Sequence, residues 1–95
     1  MKAYKHLVKH ALSRNLVVSV YDGEVWGVKK SNSQKDIFNC IESVEESQLI
    51  IRDVSGIKKA WVLVVLGNAD DELVADCSDN EFMKNWNTLY KLTLK

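Results

Sequence analysis

The chain has no proline and only four glycines in 95 residues. Long irregular loops lean on those residues, so mostly regular secondary structure is expected. Cysteine is scarce too. Cys40 and Cys77 lie far apart and form no C-x-x-C spacing, so neither a zinc site nor a redox motif is indicated. One disulfide is arithmetically possible, but two reduced, partly buried thiols are the expectation. No segment approaches the ~18 apolar residues a membrane span needs. The stretch Met1-Lys2-Ala3-Tyr4-Lys5-His6 lacks an apolar h-region, so no secretory signal is expected. Catalytic patterns are missing as well: no glycine-rich loop after a strand, no nucleophile elbow, and no Cys-His or Ser-His-Asp spacing. No catalytic, cofactor-binding or metal-ligating residue is assigned, and the expectation is a protein that is not an enzyme.

What is present describes a folded domain. Hydrophobic residues make up 46% and charged residues 27% of the chain, a globular balance rather than a disordered one. The length suits one small domain spanning 1–95. The most apolar stretch is 60–66, Ala-Trp-Val-Leu-Val-Val-Leu, seven apolar residues in a row. It is too short for a membrane and is expected to be the most buried strand, with Trp61 in the core.

Taken in order, residues 2–13 carry Tyr4, Leu7, Val8, Ala11 and Leu12 at helical spacing, and Asn15 is a plausible stop. Residues 16–21 and 24–30 are two strands around Asp22-Gly23, a strong hairpin signal. A two-residue loop there pairs Tyr21 with Glu24, Val20 with Val25, Val18 with Gly27 and Leu16 with Lys29. Both faces of that hairpin are half apolar, so its exposed side is open. Ser33 and Asp36 resemble a capping box for a helix over 33–45, with Ile37, Cys40, Ile41 and Val44 as its inner stripe and Phe38 beside it. Glu42, Glu45 and Glu46 fall late in that helix, where the macrodipole disfavours acids. Strands follow at 48–53 and 58–66, joined by a turn at Val54-Ser55-Gly56, and a short edge strand at 73–75 comes after a break at Gly67-Asn68. The last helix, 79–91, is expected to start with a Ser78–Glu81 capping box and to bury Phe82, Trp86, Leu89 and Tyr90. The order α-β-β-α-β-β-β-α implies an α+β domain: an antiparallel sheet with helices packed on it.

Charge is neutral overall but uneven. Residues 1–35 hold seven bases against two acids, and 36–81 hold eleven acids against three bases. Such polarity orients a partner and speeds encounter. Lys2, Lys5, Lys9, Lys29 and Lys30 form a candidate basic face for phosphates. A neutral balance without a nucleic-acid motif argues against that use. His6 and His10 have metal-ligand spacing, but the lysines around them repel a cation and a solvated helix face is the expectation. Asp70, Asp71, Glu72, Asp76, Asp79 and Glu81 form an acidic run without the glycine and bidentate acid of an EF-hand. It is either a partner-binding surface or a solvated loop. Trp26 is the tryptophan most suited to anchor a partner.

Several stretches resemble small uncharacterised accessory proteins of tailed bacteriophages and prophages. They are Tyr21-Asp22-Gly23-Glu24-Val25-Trp26-Gly27-Val28-Lys29-Lys30-Ser31, Ile41-Glu42-Ser43-Val44-Glu45-Glu46, Arg52-Asp53 with Trp61, and Asp79-Asn80-Glu81-Phe82-Met83-Lys84-Asn85-Trp86. The resemblance implies a bacterial host cytoplasm and a stable protein that binds something of the host, and it implies no reaction. The reading that follows is a protein-binding module that inhibits or redirects a host or defence protein. Alternatives are a nucleic-acid-binding protein and a small-molecule (nucleotide) sponge. Oligomeric state stays open.

Overall fold

A computed structural model describes residues 2–67 and 74–93. Three helices and five strands follow the expected order: α1 Ala3–Ser13, β1 Val17–Tyr21, β2 Trp26–Ser31, α2 Gln34–Glu42, β3 Glu46–Arg52, β4 Lys58–Val65, β5 Val74–Cys77 and α3 Glu81–Thr93. The strands form one antiparallel sheet in the spatial order β2-β1-β3-β4-β5. The fold is α+β, as the element order implies. No helix among the described residues is long and apolar enough to cross a membrane.

One face of the sheet is the core. Val18 and Val20 of β1, Leu49 and Ile51 of β3, and Ala60, Val62 and Val64 of β4 are almost wholly buried. All three helices contribute to that same cluster: α1 through Tyr4, Leu7, Val8 and Ala11, α2 through Ile37 and Ile41, α3 through Met83, Trp86 and Tyr90. Helix α1 touches both α2 and α3, so it lies between them. The helical periodicity of α1 places its apolar stripe as expected. In α3 the stripe is rotated: Met83 is buried while Leu89 is 41% exposed.

The first hairpin departs from the expected register. Tyr21 pairs with Trp26, Val20 with Val28 and Val18 with Ser31. The cause is the Asp22 side chain. Its Oδ1 accepts hydrogen bonds from the Glu24 and Val25 N–H groups at 2.8 and 2.9 Å. Those bonds hold the carboxyl below the usual carboxylate range, the Val25 bond first. The turn is thereby centred on Gly23-Glu24, with Gly23 at φ 105°, a region glycine enters without steric cost. Two irregularities follow in the ladder, the second beside Lys30 at φ 49°. They turn Val28 to the core side along with Val20.

Three other expectations need correction. Helix α2 stops at Glu42, because Glu46 already begins β3. Ser78 does not cap α3. Asn80 does, its Oδ1 accepting from Met83 N at 3.0 Å, while Ser78 Oγ accepts from Trp61 N at 2.8 Å and locks β5 to β4. Finally, β4 is not the most buried strand. Its burial alternates, and β3 is the middle strand of the sheet. The Ser33 cap on Asp36 N and the turn at Val54-Ser55 are present.

Candidate binding surfaces

Among the described residues all three helices pack on the first face of the sheet, and none on the second. Rows of opposed residues cross it in register. Val17, Arg52 and Lys58 form one end row, Ser19, Ile50 and Trp61 the next. Trp26, Tyr21, Gln48, Leu63 and Asp76 form the third, and Glu46 with Val65 the last. Ser19 is buried, its Oγ accepting from Lys30 N. Val17, Tyr21, Ile50, Trp61, Leu63 and Val65 are half-buried, and Trp26 is 42% exposed. Trp61 therefore stands outside the helix-covered core, contrary to expectation. A run that is apolar at every position looks the same in sequence whether one face or both are covered.

The polar atoms of these aromatics are already engaged. Trp61 Nε1 donates to Gln48 Oε1 at 2.9 Å, a diagonal contact between β4 and β3. Tyr21 donates its hydroxyl proton to Gly23 O at 3.0 Å, and its ring lies 5.0 Å from that of Trp26. A partner covering this surface would leave neither group unsatisfied. Charge divides along the strands, with Arg52 and Lys58 at one end and Glu46 and Asp76 toward the other. Arg52 is held in place by its own bond to Gly56 O.

A second concavity lies on the helix side, between β5 and α3. Its volume is about 410 Å³. Met83, Trp86 and Tyr90 line it together with Val74, and all three α3 residues are at most 4% exposed. Lys84, Asn87 and Lys91 of α3 and Cys77, Ser78 and Asp79 on the β5 side supply its polar groups. Trp86 and Tyr90 stack with centroids 5.3 Å apart and planes 11° from parallel. Burial pushes the Cys77 thiol up, and the Asp76 and Asp79 charges push it the same way. The thiol is held protonated and is a poor nucleophile. Cys40 and Cys77 are both free. Cys40 packs against Gly27 on edge strand β2 and Cys77 is on the opposite edge, β5. Four strand spacings of about 4.8 Å separate those edges, far beyond disulfide reach.

The charged candidates fall in different places. Lys5 sits 3.5 Å from Glu42 and 5.5 Å from the Phe38 ring centroid. Lys2 and Lys9 are exposed on the α1 side of the molecule, and Lys29 and Lys30 are on β2, with α2 contacting both elements. Asp76 borders the open sheet face, Asp79 is 3.6 Å from Lys84, and Glu81 lies in the first turn of α3. Asp70, Asp71 and Glu72 lie outside the described residues. The histidines are not on a solvated face. His6 Nδ1 accepts from Trp86 Nε1 at 3.0 Å, and His10 lies against Phe82. Burial lowers the His10 pKa, with Arg14 and His6 adding to it. Comparison with known proteins finds no matching family model, no matching curated protein and no matching solved structure.

Proposed function

We propose that the chain is a protein-binding module that docks its partner on the uncovered face of the sheet. The observation that carries this is the strip Tyr21, Trp26, Ile50, Trp61 and Leu63, half-exposed and with its aromatic polar atoms spent internally. Tryptophan and tyrosine anchors on a rigid sheet are the side chains that dominate binding energy at interfaces. They lose little conformational entropy on docking. Trp26 keeps the anchoring role that its place in the sequence gave it, now beside Tyr21 and Trp61.

The partner's chemistry follows from the charge division along the strands. It is a folded protein with an apolar patch, an acidic group opposite Arg52 and Lys58, and a basic group opposite Glu46 and Asp76. The resemblance to phage accessory proteins makes a host or defence protein the partner, inhibited or redirected when its own surface is covered. The protonated Cys77 thiol and the histidines' contacts with α3 support a binding role over a catalytic one.

Photocrosslinking decides the matter. A photoreactive amino acid is placed at Leu63, and in a control at Lys35 on α2, and each protein is exposed to bacterial lysate. The expected result is one host protein captured at position 63 and not at 35. Its affinity for the purified chain should fall at least tenfold with Leu63→Asp, measured well below that variant's melting temperature, which the Asp76 charge opposite lowers. Equal capture at both positions, or binding indifferent to Leu63→Asp, overturns the reading. Capture of a second copy of this chain overturns the heterologous partner.

A further inference from the structure

Helix α3 meets two histidines of α1 along one flank and borders open space along the other. We infer that this arrangement is a pH-sensitive latch: α3 is closed on α1 while His6 and His10 are neutral, and mild acid releases it. The latch lies on the helix side of the sheet, so it does not depend on the docking face.

The deciding contact is one hydrogen bond. An indole N–H only donates, so the bond from Trp86 Nε1 to His6 Nδ1 at 3.0 Å needs a lone pair on that nitrogen. An imidazolium carries a proton on both nitrogens and has none to offer. Trp86 is only 4% exposed, so water replaces the lost acceptor poorly. The His6 ring also lies edge-on to Tyr90, with centroids 5.4 Å apart. One turn further along α1, the His10 ring lies 5.5 Å from that of Phe82. Burial disfavours charge on His10, and Arg14 and His6 act in the same direction.

The surrounding charges add to this. On α1 itself the neighbours are Lys2, Lys5, Lys9 and Arg14, all basic. Across the joint α3 presents Phe82, Trp86 and Tyr90. Its bases Lys84 and Lys91 line the cavity on the other flank, and Asp79 there is 3.6 Å from Lys84. From α2, Glu42 is already engaged by Tyr4 and Lys5. Glu81 lies in the first turn of α3, yet among the described residues neither histidine pairs with an acid. No carboxylate is in place to hold an imidazolium.

The rest of α3 is arranged to move. Its start is anchored: Asn80 Nδ2 donates to Lys59 O at 2.8 Å, and Asn80 Oδ1 accepts from Met83 N. Beyond that anchor, the flank towards β5 borders a cavity of about 410 Å³, so packing on that side does not hold the helix. Release frees α3 to swing about Asn80.

The test is hydrogen exchange on the whole chain at about pH 7.5 and about pH 5.5, on either side of the ordinary histidine value of ~6.5. Both lie above 4.5, so Glu42 stays ionised throughout. Rates are compared as protection factors, which removes the intrinsic effect of pH on exchange. A histidine that is neutral when closed and titrates normally when open favours opening by up to about tenfold at pH 5.5. Amides of α3 beyond Met83 should therefore lose at least about fivefold in protection at the lower pH, while those of β1 and β3 keep theirs. The double variant His6→Gln with His10→Gln has side chains that accept hydrogen bonds without titrating, and its α3 should stay protected at both pH values. In the unsubstituted chain, the imidazole nitrogen signals in NMR should change over the same pH span as the protection of α3. No loss in α3 would mean that the imidazolium stays over the Trp86 and Tyr90 rings, and it overturns the latch. So does an equal loss in β1 and β3, a loss that persists in the double variant, or a loss at a pH where neither imidazole changes charge.

Discussion

At the scale of single residues, the Tyr4–Glu42 contact explains a feature that looked unfavourable in the sequence. An acid late in α2 opposes the helix dipole. Here the Tyr4 hydroxyl donates to Glu42 Oε2 at 2.5 Å across 38 residues, and Lys5 adds its charge. The tyrosine bond holds the Glu42 carboxyl below its ordinary value of 4.5; partial desolvation opposes it and the Lys5 and Lys2 charges assist. Burial, then the Glu42 bond and charge, push the Tyr4 phenol well above its usual range, so it stays a donor. Because the folded-state value of Glu42 is depressed, its stabilisation is complete above pH 4.5. It is lost as pH falls through the folded value. Tyr4→Phe should therefore cost about 1 kcal/mol at pH 7, a modest figure because the carboxylate is half in water. Urea titrations of both proteins should show that gap narrowing as pH falls below 4.5. A gap that stays constant with pH would assign the cost to packing instead.

Between elements, α2 packs closely against edge strand β2. A Cβ built on Gly27 would lie 2.9 Å from Cys40 Sγ and 3.3 Å from Cys40 Cβ, so glycine here is required by a neighbour and not by a turn. Gly27→Ala should destabilise by about 1–3 kcal/mol, the usual cost of overpacking. Adding Cys40→Ala removes the thiol and should recover much of that loss, a coupling visible as non-additivity in a double-mutant cycle. Additive losses would mean the two elements do not touch there. Neither partner could be paired with the other from sequence, since they belong to a strand and a helix 13 positions apart. What was legible at this scale was periodicity. The stripes of α1 and α2 and the order of all eight elements follow from 3.6- and 2-residue repeats and from Asn15, Ser33 and Val54-Ser55 as punctuation. Strand register was not legible, because Asp22 shifts the turn by one residue through bonds that spacing does not encode. For the same reason Ser78 was expected to cap α3, whereas it bonds to Trp61 across the sheet.

For the whole molecule the governing fact is asymmetry about the sheet. Its radius of gyration, 12.1 Å, matches the ~12 Å expected of a folded chain of this length, so the open face does not come from loose folding. The candidate surface was only partly readable in the sequence: Trp26 stood out, but Ile50, Trp61 and Leu63 carry no mark separating an uncovered apolar face from a core. Stability should come from one side and binding from the other. Leu49 and Leu63 are both leucines on adjacent strands, in neighbouring rows that point to opposite faces. Leu49 is fully buried beneath the helices and Leu63 is half-exposed. Leu49→Ala should cost about 2–5 kcal/mol, a large part of the ~5–15 kcal/mol such a domain possesses. Leu63→Ala should cost only about 1 kcal/mol, because just half of that side chain leaves water, yet weaken partner binding. Denaturant midpoints of the two variants, measured beside crosslinking at the sheet face, separate these effects. Equal losses of stability would mean that something covers the second face in solution. A large loss at Leu49 with a small one at Leu63 leaves binding as the remaining reason for so apolar a surface.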